Sequence, residues 1–405
     1  MKKLSELCCE IIDCVNKTAP ESADVTPFKM LRTSNIRNGT IDYENVKFVS
    51  RETYVKWTRR GKLKKGDIIF TREAPLGEVG MIERDDGYFL GQRLVLFRTD
   101  ETCCYNRFLL YALQFHDVKA AITSSGVGAT VVHMRVPECA NISVPCPSLS
   151  LQKKIGDILY QYDALIENNR RQIKLLEEAA QRLYKEWFVD LRFPGHEHTP
   201  ITNGVPQGWR PMLMEDVCKT IGGGTPSTKR PEYYEKGTIP WVTPTDVTRN
   251  GSLVLLSPEK YITQEGLDNS SAKMVHPFTI LMTSRASVGF FAVCSQSVCT
   301  NQGFIACEPK EGVTRMFLLF HLLSRVPEIR IKAGGSTYPE ISKGTFRQLP
   351  LLLPAPHVMR GFDDIVFPII LLVEKLSQEI LRLTEARDRL LPKLMSGEIE
   401  APALS

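Results

Sequence analysis

Residues 151–188 read LQKKIGDILYQYDALIENNRRQIKLLEEAAQRLYKEWF, and this stretch decides the fold. Apolar residues recur at Ile155, Ile158, Tyr162, Leu165, Leu176, Ala179 and Leu183. Charged residues (Lys153, Lys154, Glu167, Arg170, Arg171, Lys174 and Glu177) take the opposite face. The three-four spacing predicts one long helix with a coiled-coil seam. Asn169 falls on that seam, between Tyr162 and Leu176. A polar residue there either fixes register at some cost in stability or points to solvent.

The same stretch occurs twice. Residues from Gly128 to Phe188 realign without a gap on Gly335 to Met395, at one offset (364 − 157 = 207 for the two aspartates). Ile158 falls on Ile365, Glu167 on Glu374, Glu178-Ala179 on Glu385-Ala386, and Arg182-Leu183 on Arg389-Leu390. Upstream the offset drifts, but Thr71 and Gly77 still meet Thr283 and Gly289, and Gln92 meets Gln302. A tandem duplication of this length predicts two similar bodies, each followed by a long helix.

The expected order is a first mixed body at 1–148, a helix at 149–190, a Pro/Gly-rich linker at 191–207, a second body at 208–357 and a second helix at 358–397. Short strand-like runs, among them Asp67 to Thr71, Val79 to Ile82 and Leu94 to Phe97, predict an α+β body, with a helical run from Asn106 to Ala121. The second seam is read as Ile365, Ile369, Leu372, Leu376, Leu383, Ala386 and Leu390, with Pro368 kinking or delaying its start. The second helix buries its stripe at least cost by returning antiparallel along the first. The fold class is thus α/β (α+β), two mixed bodies separated by a coiled-coil spacer. A helix of this length spans roughly 50 Å at about 1.5 Å per residue, on the order of fourteen base pairs of DNA at about 3.4 Å each.

The chain has 405 residues, is 24% charged and carries a net charge of +5. That permits nucleic-acid contact without arguing for it. The 11 cysteines show no disulfide or zinc spacing, so they are expected as reduced thiols. The start lacks an apolar signal core and no apolar run is long enough to span a bilayer, which predicts a cytoplasmic chain without membrane partners.

Catalytic motifs are missing. Gly222-Gly223-Gly224-Thr225-Pro226 lacks the lysine of a phosphate loop, no Gly-x-Ser-x-Gly occurs, and His196-x-His198 has no third metal ligand nearby. Neither a catalytic residue nor a metal is expected. Binding features are richer. Lys56, Arg59, Arg60, Lys62, Lys64 and Lys65 surround Trp57, which suits phosphate contact and stacking as well as a solvated charge run. Matched polar loops recur in both halves: Arg32-Thr33-Ser34-Asn35 against Thr243-Pro244-Thr245-Asp246, Thr71-Arg72-Glu73 against Thr283-Ser284-Arg285, and Ser124-Ser125-Gly126 against Gly334-Gly335-Ser336-Thr337. Side chains of these types read base edges. The candidate DNA contacts are Thr33, Ser34, Asn35, Arg37, Asn38, Trp57, Arg59, Arg60, Lys62, Arg72 and Ser125 in the first half. In the second they are Thr225, Ser227, Lys229, Thr245, Asp246, Thr283, Ser284, Arg285, Ser336, Thr337 and Tyr338.

Three groups of residues then carry a resemblance that runs over nearly the whole chain. They are the helix from Leu151 through Asn168-Asn169-Arg170 to Leu183-Tyr184-Lys185-Glu186-Trp187-Phe188-Val189-Asp190, its echo ending Leu390-Leu391-Pro392-Lys393-Leu394-Met395-Ser396-Gly397, and the body entries at Leu4-Ser5-Glu6-Leu7 and Gly208-Trp209. In these the chain resembles the specificity subunit of type I restriction–modification enzymes. The resemblance implies two target-recognition domains, each reading half of a bipartite, asymmetric double-stranded DNA sequence. It implies two methyltransferase subunits docked on the helices, touching Asn168, Asn169, Arg170, Leu183, Tyr184, Trp187, Phe188, Leu390 and Leu394. Restriction subunits would join them. S-adenosylmethionine, ATP and magnesium would be held by those partners and no cofactor by this chain. The competing expectations are a coiled-coil scaffold that binds proteins and not DNA, and a stand-alone nuclease or methyltransferase.

Overall fold

The computed structural model describes residues 1–127, 132–335 and 338–401. The chain divides into two bodies: Met1–Ile166 joined by the chain from Arg382 onward, and Glu167–Leu381.

The first body is built on a four-stranded antiparallel sheet of β1 (Cys8–Asp13), β2 (Ile68–Arg72), β3 (Leu76–Met81) and β4 (Leu94–Thr99), in the order β1-β4-β2-β3. Phe70, Val79, Val95 and Phe97 of this sheet meet Phe108, Leu109 and Tyr111 in one buried core. The helix expected from Asn106 to Ala121 is two helices, Asn106–Ala112 and His116–Ser125. Phe115 between them takes an extended conformation and buries its ring, which ends the first turn of chain.

Helix α1 (Leu149–Tyr184) follows, closed by one π-turn at Lys185–Val189. Next comes a 3-10 turn at His196–His198 and a small hairpin of Ile201–Thr202 with Val205–Pro206. The expected linker is therefore anchored: the Phe193 ring is buried and lies 5.2 Å from Trp209.

The second body repeats the first. Its sheet has β5 (Cys218–Gly222), β6 (Ile280–Thr283), β7 (Phe291–Ala292) and β8 (Phe304–Pro309), in the order β5-β8-β6-β7. In each body a second sheet contains one parallel pair, Lys29–Leu31 with Tyr88–Leu90 and Ile239–Val242 with Val298–Thr300. Helix α2 (Pro356–Ser396) closes the chain.

The helices are shared between the bodies. Ile155 and Leu159 of α1 enter the first core together with Leu394 of α2. Ile173, Ala180 and Tyr184 of α1 enter the second core together with Phe362, Val366, Ile370 and Val373 of α2. The start of one helix meets the end of the other in both bodies, so the pair is antiparallel. The seam differs from the one read in the sequence. Gln152, Leu159, Ile166, Ile173, Ala180 and Trp187 are buried at a strict seven-residue period, whereas Leu165 and Ala179 are exposed. On α2 the buried line runs Met359, Val366, Val373 and Leu394, each 207 residues beyond its α1 counterpart, while Ile365 and Leu372 face solvent. The two long helices carry enough apolar residues for two stripes, and spacing alone does not say which is turned inward. Pro368 neither breaks nor delays α2, which begins earlier than expected, at Pro356. It lies on the exposed side, where the Asp364 carbonyl that loses its partner can be solvated.

One polar cluster interrupts the first body's seam. Asp163 of α1 binds Arg387 of α2 and accepts the Tyr111 hydroxyl, with both charged side chains 18% exposed. The positions 207 residues away hold Ile370 and Ala180, buried in the second core. The buried amide of Asn169 has no partner for its Nδ2 among the described residues. It is therefore a buried seam residue and not a solvent-facing one. Glu177 is also drawn inward, accepting the Leu253 N–H at 2.6 Å. Burial pushes its carboxyl up to about 7.

Two outcomes follow from these groups. Arg387→Ala strands a buried carboxylate and should destabilise the first body by about 3 kcal/mol in denaturant unfolding. The pair Asp163→Ile with Arg387→Ala, which copies the second body, should recover most of that loss. The raised Glu177 pKa works in the opposite sense to an ordinary salt-bridged acid: its neutral form stabilises fully below the unfolded carboxyl value, and that contribution drains away as pH rises toward 7. Glu177→Gln, which keeps the accepting oxygen, should raise the melting temperature at about pH 8 and converge with the parent near about pH 4.

Candidate nucleic-acid interface

The strand ends of the two bodies carry matched loops on the same backbone bonds. In the first body Gly91 N–H donates to the Leu31 carbonyl at 2.8 Å and Arg72 N–H to the Arg93 carbonyl at 2.9 Å. In the second, Asn301 N–H donates to Val242 at 3.1 Å and Ser284 N–H to Gly303 at 2.8 Å. A threonine ties each hairpin. Thr71 Oγ1 donates to the Pro75 carbonyl at 2.6 Å and accepts from Glu78 N–H at 2.9 Å. Thr283 Oγ1 donates to the Ser287 carbonyl and accepts from Phe290 N–H at 2.9 Å. Ala74 and Ala286 both stand at positive φ, 51° and 61°, so the residue before each is presented by a similarly strained turn. The turn then bridges a returning strand, Glu73 with His133 and Arg285 with Glu340.

The tips of these loops differ. In the second body they enclose a polar groove of about 280 Å³ lined by Thr245, Thr248, Arg285, Asn301 and Gln302. Arg285 Nη2 donates to Glu340 Oε1 at 2.8 Å, which holds the guanidinium charge more firmly than usual. Gln302 accepts the Thr225 hydroxyl. In the first body Gln92 accepts the Thr18 hydroxyl at 3.2 Å, and Glu73 lies 3.4 Å from Arg93 Nε.

The structure sorts the residues expected from the sequence. Ser34, Arg37, Asn38, Arg59, Lys62, Ser125, Thr225, Ser227, Lys229, Thr245, Arg285 and Tyr338 are exposed, and Thr33 is half-buried. Others are buried or already bonded within their own body. Asn35 is buried: its Oδ1 accepts from Arg32 N–H at 2.9 Å and its Nδ2 donates to the Asp42 and Asn45 carbonyls. Asp246 caps its own turn, accepting from Thr243 N–H at 2.7 Å and Glu259 N–H at 2.8 Å. Thr283 and Ser284 are buried. Arg72 lies 3.4 Å from Asp13 and donates to the Met134 carbonyl. Arg60 is exposed but held by Asp13 and the Cys14 carbonyl, and Trp57 is half-buried and donates to the Lys17 carbonyl at 3.2 Å. Ser336 and Thr337 lie outside the described residues. A buried Asn and a capping Asp have the composition of readers, and only their bonding reveals otherwise.

Among the candidate docking residues, Asn168 and Arg170 are exposed and Leu183, Phe188 and Leu390 are half-buried. Asn169, Tyr184, Trp187 and Leu394 are buried, so in this structure they offer no surface. Tyr184 instead meets His321 Nδ1 at 3.0 Å, and burial drives that imidazole down to about 3. Glu73, Gln92, Arg93 and Gln302 were not among the expected contacts, although the repeat alignment of Gln92 with Gln302 is a signal that marks this turn.

A model of the type I restriction modification DNA specificity domain matches residues 12–178 and again 206–358. The chain is 33% identical over 171 residues to the type I restriction enzyme MjaIX specificity subunit of Methanocaldococcus jannaschii, a match covering 40% of this chain and 39% of that protein. It is 24% identical over 402 residues to the putative type I restriction enzyme MjaX specificity subunit of the same organism, covering 94% and 89%. The crystal structure of a type I restriction–modification S subunit from M. genitalium superposes with a TM-score of 0.60 at 17% identity, covering 100% of this chain and 96% of that one.

Alanine at Asn35 or Asp246 should lower the melting temperature and leave any sequence preference unchanged, because these side chains satisfy backbone groups; thermal melts alongside DNA binding distinguish the two effects.

Proposed function

The chain belongs to the family of type I restriction–modification DNA specificity subunits, and we propose that each of its bodies reads one half of a bipartite, asymmetric double-stranded DNA target. The observation that carries this reading is the pair of loop clusters: one set of backbone bonds, built twice, presenting unlike side chains. A scaffold duplicated for stability alone has no need of different tips. A scaffold duplicated to read two sequences requires them.

The protein's own contribution is non-catalytic. Exposed Arg59, Lys56 and Lys62 fit phosphate contact, which positions a duplex without reporting its sequence. The loop tips, with their Arg, Gln, Glu and Thr side chains, fit the base edges. Methyltransferase subunits, two by the pseudo-symmetry of the helices, dock on the helix surfaces. Apolar side chains left in solvent there support this: Leu165 is 50% exposed, Leu175 57%, Leu371 42% and Leu372 42%. S-adenosylmethionine, ATP and magnesium belong to those partners and to the restriction subunits. No helix among the described residues is long and apolar enough to cross a membrane.

Two measurements test the reading. Exchanging the first body for that of another family member should change one half of the recognised sequence and leave the other half and the gap intact; a change in both halves contradicts it. Alanine at Lys56, Arg59 and Lys62 together should weaken binding of the assembled complex to all duplexes alike and flatten its salt dependence by roughly one log unit per lost phosphate contact. A shift in base preference would assign them a different role.

A further inference from the structure

The matched turns at Glu73 and Arg285 differ by a reversal of charge, and this carries an inference that rests on the DNA-reading function above. The backbone around the two residues matches in three respects, although Ala74-Pro75 is a cis peptide and Ala286-Ser287 is not. Each precedes an alanine at positive φ, each follows a strand tied by the matched threonine, and each bridges the returning strand. The side chain therefore leaves a matched position in each body, half-buried for Glu73 and exposed for Arg285, with the charge reversed.

We propose that Arg285 is the residue that reads a guanine in the second half-site, and that Glu73 sets cytosine at the matched position of the first. Arg285 is exposed and borders the polar groove beside Gln302 and Thr245. Its bond to Glu340 uses one Nη2 hydrogen and orients the planar group, while Nε and Nη1 have no partner among the described residues. A guanidinium offers only donors in a fork. In the major groove guanine is the base that presents two adjacent acceptors, O6 and N7, and cytosine the one whose edge is a lone amino donor. A carboxylate in the same place offers only acceptors, matches the cytosine amino group and repels the guanine edge. Arg93, 3.4 Å from Glu73, holds that carboxylate as Glu340 holds Arg285, with the signs exchanged. Gln92 and Gln302, each accepting a threonine hydroxyl, are the invariant part of the site and do not distinguish the halves.

The test uses the complex assembled with its methyltransferase subunits and a panel of duplexes varied one base pair at a time through both half-sites. The parent complex should show one guanine in the second half-site whose replacement weakens binding roughly tenfold to hundredfold. Arg285→Ala should erase that discrimination at that one position and leave the first half-site untouched. Arg285→Lys, which keeps the charge and loses the fork, should erase most of it and serves if the alanine variant fails to assemble. The paired swaps Arg285→Glu with Glu340→Arg, and Glu73→Arg with Arg93→Glu, keep the holding ion pairs; the first should turn the preference to cytosine and the second should install guanine at the matched position of the first half-site. Unchanged discrimination in the Arg285 variants, or equal weakening on every duplex, overturns the assignment while leaving the function standing. A parent complex that discriminates no base pair in either half-site overturns both.

Discussion

The structure depends on one constraint: two long helices must each bury a line of side chains, spaced in multiples of seven residues, in two different bodies. Neither body closes its core without them. Leu159 and Leu394 complete the first, and Ile173, Ala180, Val366 and Val373 complete the second. Because both long helices contribute to both cores, a slip of one against the other disturbs the core of each body. Asp163 and Arg387 restrict such slips in the first body, since a shifted register would leave a charge facing apolar side chains. Their cost in stability is set against the many apolar residues of the same two lines.

The duplication divides the labour between backbone and side chain. Backbone hydrogen bonds at Gly91 and Asn301, at Arg72 and Ser284, and the hydroxyls of Thr71 and Thr283 repeat in both bodies. They fix where the loops stand. What stands at the loop tips is then free to diverge, because exposed side chains at a turn contribute little to folding. Glu73 against Arg285, and Arg93 against Gly303, show that divergence reaching a full reversal of charge. Two bodies proposed to read unlike half-sites need this separation of framework from content.

Long-range repetition was the most legible property of the chain, and it led to the two bodies and the antiparallel pairing. Strands β2 to β4 were visible as short apolar runs between turns. Strand β1 was not, because Cys8–Asp13 is a half-exposed edge without clean alternation. The helix seam was misplaced by one residue in parts: Leu165 and Leu372 are as apolar as Ile166 and Val373, and only packing selects between them. The matched loops were legible in the sequence, but which of their side chains stay exposed was not. Asn35, Asp246 and Thr283 have the chemistry of base readers, yet each spends its polar atoms on neighbouring backbone. Which polar side chains remain free is a property of the fold.

The most direct measurement is a long-read map of methylated adenines in DNA modified by the complete complex. Two unlike readers on one chain predict an interrupted motif, with two different short half-sites separated by a fixed number of unread base pairs. An uninterrupted motif, or two identical half-sites, would contradict the account.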